Sequence, residues 1–327
     1  MREKRIGKPA DEAPTFFCDS LRLFVAIKSF QSQLIRSSSG KWLLGRAAEF
    51  YDSRICTLDN VRRQAQGRRG AKKYPLRFSV GIPHFNRGAQ MFRPLFNLLC
   101  HPAVEEIVIV DDGSAPSEFA ALERTVAVVD PKGRVKIHRR EQNLGALRTK
   151  LECVERASSD WVLILDSDNT AFTRYLDTLA SQRALKPDTF YCASWAFPFF
   201  SFHELGGQAM GFETAAELTA TKVLRRIYLI NDGNYLVHRE SYVRSVTAIG
   251  RVASDVADVM LVNYHWLSQG GLLQILPGTT YYHRVHKGSF WNLTQEESRK
   301  RVVDLFVRFE RRLKWDEEFA CSLSRLS

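Results

Sequence analysis

From residue 77 onward the hydrophobic positions fall into short unbroken runs, separated by stretches in which apolar residues recur at helical spacing. Arg77 to Pro83 is a first run, closed by a proline that cannot donate to a sheet ladder. Glu106 to Val110 and Trp161 to Leu165 are denser, apolar at nearly every position. Such runs predict strands buried on both faces, the kind that belongs mostly to parallel sheets. Helical composition follows the first run through Leu99, and a further helical pattern precedes a short strand at Arg134 to His138. Asn143-Leu144-Gly145 then opens a helix reaching Ala157. This strand and helix alternation predicts an α/β fold with a doubly wound, mostly parallel sheet and helices on both faces.

The second half is less regular. Phe190 to Phe202 is aromatic-rich and fits a strand running into a loop, while Asn231 to His238 reads as another strand. Ser254 can cap a helix over 255–268 that carries Asp255 and Asp258 in its first turns. Leu272 to Tyr282 is a strand interrupted at Pro277-Gly278. A final helix begins at Thr294 with a capping box, and Val302, Phe306, Phe309 and Leu313 form its apolar stripe. The expected units are a helical, basic extension and linker over 1–75, a central domain over 76–293 and a C-terminal helix over 294–327.

Charge changes the picture at the N-terminus. Residues 1–75 hold 16 of the 47 Lys and Arg but only 7 of the 36 Asp and Glu, leaving the remainder nearly neutral. Mixed helical spacing over Phe16 to Ile35 suits amphipathic helices, and Arg62 to Lys73 has the composition of a linker. A basic extension suits peripheral contact with an anionic membrane surface; a solvated tail is the plain alternative. Nucleic acid is the less fitting partner, because no binding signature accompanies the charge. No apolar run approaches the ~20 residues of a membrane-spanning helix, and Met1 to Arg5 leads into no apolar core of a secretory signal. Six widely spaced cysteines without a Cys-x-x-Cys pair point to reduced thiols. The expected location is cytoplasmic, with peripheral contact at the inner membrane face.

The candidate chemistry lies where the densest run stops. Asp166 and Asp168 follow Trp161 to Leu165 directly, at the strand edge where open α/β sheets bind ligands. Period-two geometry lets both side chains flank one spot, and hard carboxylate oxygens suit Mg²⁺ or Mn²⁺ held together with a phosphate. Asp-Ser-Asp-Asn is also good turn composition, so the residues alone leave both readings open.

Four segments in register carry a resemblance. Ser79-Val-Gly-Ile-Pro-His-Phe-Asn-Arg87, Val110-Asp-Asp-Gly-Ser114, Asn143-Leu-Gly145 and Leu165-Asp-Ser-Asp-Asn169 resemble, in order and spacing, the inverting glycosyltransferases of family two, which have the GT-A fold. The likeness covers roughly residues 77–290. It implies a nucleotide-sugar donor, a UDP-sugar, and a glycan or lipid-linked acceptor in polysaccharide synthesis. By the same resemblance Pro83, Phe85, Asn86 and Arg87 line the nucleotide, with Phe85 stacking on the base. Asp112, and with it Asp111, would meet the pyrimidine or ribose. Lys150 falls where the family has an arginine near the diphosphate, and Arg148 competes for that role. Asp166, Ser167 and Asp168 resemble the family's DxD motif, with Mn²⁺ or Mg²⁺ bridging diphosphate oxygens. Tyr282 to Ser289 resembles a late segment whose histidine completes that site, His286 matching best and His283 next.

The general base departs from the pattern. The family has a Glu-Asp pair at a helix start; here Asp258 fits the Asp position, Ala257 replaces the Glu, and Asp255 competes. A retaining transferase on the same fold is one alternative, and a non-catalytic glycan- or nucleotide-binding module with a degenerate site is another.

Overall fold

The computed structural model describes residues 73–198, 200–220, 228–250, 252, 257–284 and 295–325. Residues 1–72 of the N-terminal extension, Asp255, His286 and Thr294 of the capping box therefore lie outside the described residues. Three parallel strands form the spine: β1 (Phe78–His84), β2 (Val104–Asp111) and β4 (Trp161–Ile164), joined at the edge by β3 (Val135–Arg139). Between them run α1 (Phe92–Leu99), α2 (Pro116–Val129) and α3 (Ala146–Glu155). Ile107 to Val110 and Val162 to Leu165 are buried at every position, so both faces are covered, as their unbroken hydrophobicity requires. Full burial of each such side chain contributes roughly 1.5–3 kcal/mol.

Beyond β4 the sheet becomes mixed. Its order is β3-β2-β1-β4-β9-β6-β10-β5, with β7 paired to β6 and β8 paired to β10. β9 (Tyr235–His238) runs antiparallel to both β4 and β6 (Thr189–Phe197), while β10 (Leu272–Tyr282) is parallel to β6. β5 (Thr170–Ala171), β7 (Phe200–Ser201) and β8 (Ala209–Met210) are two-residue strands, too short to leave a periodic signal. The aromatic stretch resolves into β6 and β7, which pair as a hairpin. β10 is continuous through Pro277-Gly278, and the interruption is a register shift between Leu276 and Thr280.

Helices α4 (Thr173–Ala180), α5 (Phe212–Ala220) and α6 (Arg239–Ile249) were not separated by the hydrophobic pattern. Helix α7 (Asp258–Ser268) packs on α3 and α6 and is buried almost throughout, which erases its amphipathic period. α8 (Gln295–Glu310) buries Val302, Phe306 and Phe309 as expected. Leu313 is instead 44% exposed, because α8 has ended and Arg312 has turned to φ 53° before α9 (Glu317–Arg325) begins. Among the described residues no helix is long and apolar enough to cross a membrane.

One buried carboxylate ties the opening strands together. Glu106 on β2 accepts hydrogen bonds from Ser79 Oγ at 2.8 Å, from Ser158 N and Oγ at 2.6 Å each, and from Lys136. Burial pushes its pKa up, but these donors outweigh it and hold the group at about 2. A depressed carboxyl adds stability that is complete above its unfolded value and fades as pH falls through the folded value. Glu106→Gln should therefore lose up to about 3 kcal/mol at pH 7. Urea denaturation from pH 7 to pH 2 should show the variant's stability falling less steeply than wild type below pH 4.5; parallel curves would refute this role.

Candidate active site

The polar motifs collect at the C-terminal ends of β1, β2 and β4, where the ladder stops and backbone groups need new partners. Asn86 sits there at φ 52°, a conformation that asparagine tolerates better than most residues. Its backbone N–H donates to Ser114 Oγ at 2.8 Å and its Oδ1 accepts from Ala115 N at 2.8 Å, stapling the β1 loop to the β2 loop. Beside it Phe85 is 44% exposed. An apolar ring held open to solvent next to an aspartate-rich edge is suited to stacking.

Asp111 and Asp112 both turn inward. Asp111 lies 2.7 Å from His84 Nδ1, accepts from Ser114 N at 3.2 Å, and is wholly buried. Burial acts against its charge, yet His84 and Ser114 keep its pKa below the usual range. Its oxygens thus serve the turn, with His84 and the Ser114 N–H as partners. Asp112 accepts from Leu144 N at 2.8 Å, Gly145 N at 2.9 Å and Arg140 Nη1 at 3.0 Å. Gly145 holds φ 91°, so a side chain there would strain the turn that opens α3.

Arg140 was not singled out by the sequence, yet it organises this corner. It also donates to Thr149 Oγ1 at 3.0 Å, to the Arg148 carbonyl at 3.2 Å and to Glu152 at 2.7 Å. The Arg148 side chain itself is exposed, whereas Lys150, two residues on, is buried. The structure therefore places Lys150, not Arg148, among the motif carboxylates.

Lys150 Nζ donates to Asp258 Oδ2 at 2.8 Å and lies 3.5 Å from Asp166 Oδ1. Burial opposes its charge, but Asp166 and Asp258 together raise its pKa well above the usual lysine value. Asp258 is the first residue of α7, where the helix dipole favours a carboxylate. Ala257 just before it adopts φ 58°, a left-handed conformation uncommon for alanine.

The Asp-Ser-Asp-Asn turn is held from several sides. Arg87 Nη1 lies 3.2 Å from Asp168 Oδ2 and 3.4 Å from Ser167 Oγ. Asn169 Oδ1 accepts the Arg284 N–H at 3.1 Å, bringing the end of β10 against the turn. His283 is the preceding residue; its N–H donates to the Phe197 carbonyl at 2.8 Å. Among the described residues no cluster of three or more His, Cys, Asp or Glu forms a complete metal cage. Two hard carboxylates at one turn nonetheless fit Mg²⁺ or Mn²⁺, which commonly take one or two protein carboxylates and fill the rest with phosphate and water.

A buried ammonium between two carboxylates makes a sharp stability test. Lys150→Met should destabilise the protein by about 3–5 kcal/mol in urea denaturation, because both carboxylates then lose their counter-charge. Asp258→Asn should cost less in that background than in wild type. Additive effects would show that the pair does not interact.

The profile of glycosyl transferase family 2 matches residues 79–231. Comparison with curated protein sequences gives no match. Solved structures with a similar fold include S. aureus TarS, at 15% identity and TM-score 0.46 over 77% of this chain and 46% of that chain, less than half its length. A TarS fragment, residues 1–349 in complex with UDP, aligns at 15% identity and TM-score 0.47, covering 76% of this chain and 69% of that one. GalNAc-T7 with UDP, GalNAc and Mn²⁺ aligns at 15% identity and TM-score 0.45, covering 70% and 48%. The matched segment contains β1 to β4 and all four motifs read from the sequence. Over residues 79–231 the chain is thus similar to glycosyl transferase family 2.

Proposed function

We propose that the protein is a metal-dependent, inverting glycosyltransferase that moves a sugar from a UDP-sugar to a glycan or lipid-linked acceptor. The observation that carries this reading is the cluster of Asp166, Lys150 and Asp258, drawn from β4's end, α3 and α7 onto one buried ammonium. It sets a candidate base beside the candidate donor carboxylates. Asp166 and Asp168 would hold Mn²⁺ or Mg²⁺, which when bound neutralises charge on the departing diphosphate. Phe85 would stack on the base and Arg87, beside Asp168 and Ser167, would meet phosphate oxygens.

In this reading Asp258 takes the proton of the acceptor hydroxyl as that oxygen attacks the anomeric carbon. The bond to the diphosphate oxygen breaks on the opposite face, and the configuration inverts. Lys150 orients the Asp258 carboxylate through the 2.8 Å hydrogen bond and leaves its other oxygen for the acceptor. Asp255 and His286 keep the roles expected of them as further candidates, and His283 stands next to Arg284, whose N–H meets the motif turn. The basic extension over 1–75 would contact an anionic membrane surface near a lipid-linked acceptor. The binding-module alternative draws on the same ion pair, which keeps Asp258 occupied, and on Ala257 in place of a glutamate.

A panel of nucleotide-sugars scored for metal-dependent release of nucleoside diphosphate tests the reading. UDP-sugars should turn over and lose activity in excess chelator; turnover that survives chelation would overturn the metal dependence. Asp168→Ala should cut kcat by orders of magnitude and abolish the cooperation between Mn²⁺ and UDP in calorimetry. Asp258→Asn should abolish transfer while leaving UDP affinity near wild type, since the lost group acts on the acceptor. An active Asp258→Asn enzyme would remove it as the base, and a product with retained anomeric configuration would refute inversion.

A further inference from the structure

Three residues beyond the matched segment, Asn234 enters the site from the turn before β9. It is 2% exposed, and its amide makes three hydrogen bonds to the Asp-Ser-Asp-Asn turn. Its Oδ1 accepts from Asp166 N at 2.9 Å and from Asn169 Nδ2 at 3.1 Å. Its Nδ2 donates to Asp166 Oδ2 at 3.3 Å and approaches Asp232 Oδ1 at 3.5 Å. Asn169 Nδ2 reaches the same Asp166 Oδ2 at 3.4 Å. The two oxygens of Asp166 are thereby told apart: Oδ2 faces two amides, while Oδ1 faces Lys150.

Asn234 is itself fixed from behind. Asp232 Oδ1 accepts its backbone N–H at 3.0 Å and the Tyr281 hydroxyl at 3.0 Å, and Tyr175 donates to the Asn234 carbonyl at 3.1 Å. Asn263 Nδ2 holds the Ile230 and Asp232 carbonyls at 2.8 and 3.2 Å. Between Asp232 and Asn234, Gly233 is pressed on the start of α7: a Cβ there would fall 2.6 Å from Val259 Cγ2. The turn that carries Asn234 is thus wedged between the end of β4 and the helix that begins with Asp258.

We propose that Asn234 is the positioning residue of the cation site: its amide locks Asp166 Oδ2 and the Asp166 backbone, and so fixes the orientation in which this carboxylate would meet a divalent ion. This rests on the metal reading of Asp166 and Asp168. A carboxylate free to rotate would lose part of its affinity in becoming ordered, and groups that orient a metal ligand typically change metal affinity by about 10- to 100-fold when removed. The amide type matters, because only a side chain with both a donor and an acceptor can hold a backbone N–H and a carboxylate oxygen together.

The test compares wild type, Asn234→Ala and Ser194→Ala by calorimetry of UDP with and without Mn²⁺, by the Mn²⁺ concentration for half-maximal turnover, and by thermal melting without ligand. Ser194 is equally buried and bonds Thr279 at 2.8 Å away from the motif turn, so it reports a purely structural loss. Asn234→Ala should raise the half-saturating Mn²⁺ by roughly tenfold or more while UDP affinity in chelator stays unchanged. Ser194→Ala should lower the melting temperature with its Mn²⁺ dependence intact. Should Asn234→Ala fail to fold, Asn234→Asp retains both accepted bonds but turns the donated ones into carboxylate–carboxylate contacts with Asp166 and Asp232; its half-saturating Mn²⁺ should also move. Unchanged Mn²⁺ dependence in the folded Asn234 variants, with coupling present in wild type, would overturn the positioning role alone. Absence of coupling in wild type would overturn the metal reading and this role with it.

Discussion

A single buried ammonium decides how the halves of this site meet. Lys150 comes from α3, Asp166 from the end of β4 and Asp258 from the start of α7, and the charge is tolerable only while both carboxylates are present. Desolvation alone would favour a neutral lysine; the two acids reverse that and hold it protonated. Any shift of α7 relative to the strands would strand a charge. The interaction thereby fixes where Asp258 stands with respect to the motif turn, before any donor arrives.

Upstream of Lys150, the same logic runs through the aspartates of β2. Asp112 takes up the N–H groups of Leu144 and Gly145 at the opening of α3, and Arg140 ties Asp112 to Thr149 and Glu152 on that helix. The register of α3, and so the reach of Lys150, follows from these bonds. Asp111 does comparable work with His84 one strand over. Several of the polar groups at this sheet end are thus engaged in building the scaffold, while the ring of Phe85 stays exposed and the guanidinium of Arg87 pairs with Asp168. Preorganisation of this kind lowers the ordering cost at binding.

The mixed half of the sheet supplies what the parallel half lacks. Because β9 returns antiparallel beside β4, the turn before it lies at the same sheet end as the Asp166 turn, and Asn234 can bond to it. β10, parallel to β6, ends there too and delivers Arg284 to Asn169. A purely parallel sheet would have put a helix, not a turn, at that place.

How much of this was legible in the chain can be read residue by residue. The unbroken apolar runs at Ile107 to Val110 and Trp161 to Leu165 determined buried parallel strands, and the abrupt change at Asp166 determined where the second of them stops, because burial on two faces leaves a strand no room for charge except at its end. Short strands such as Thr170–Ala171, and α7 buried all round, carry no period and were bound to escape or blur. The partners of the carboxylates were decided only by the tertiary structure. Lys150 and Asp258 are 108 positions apart, Asp166 and Asn234 are 68 apart, and no local pattern encodes such a pairing. Sequence determines which polar groups sit at strand ends; which of them turn inward to hold the turns and which remain for a ligand depends on what the folded chain brings within hydrogen-bonding distance.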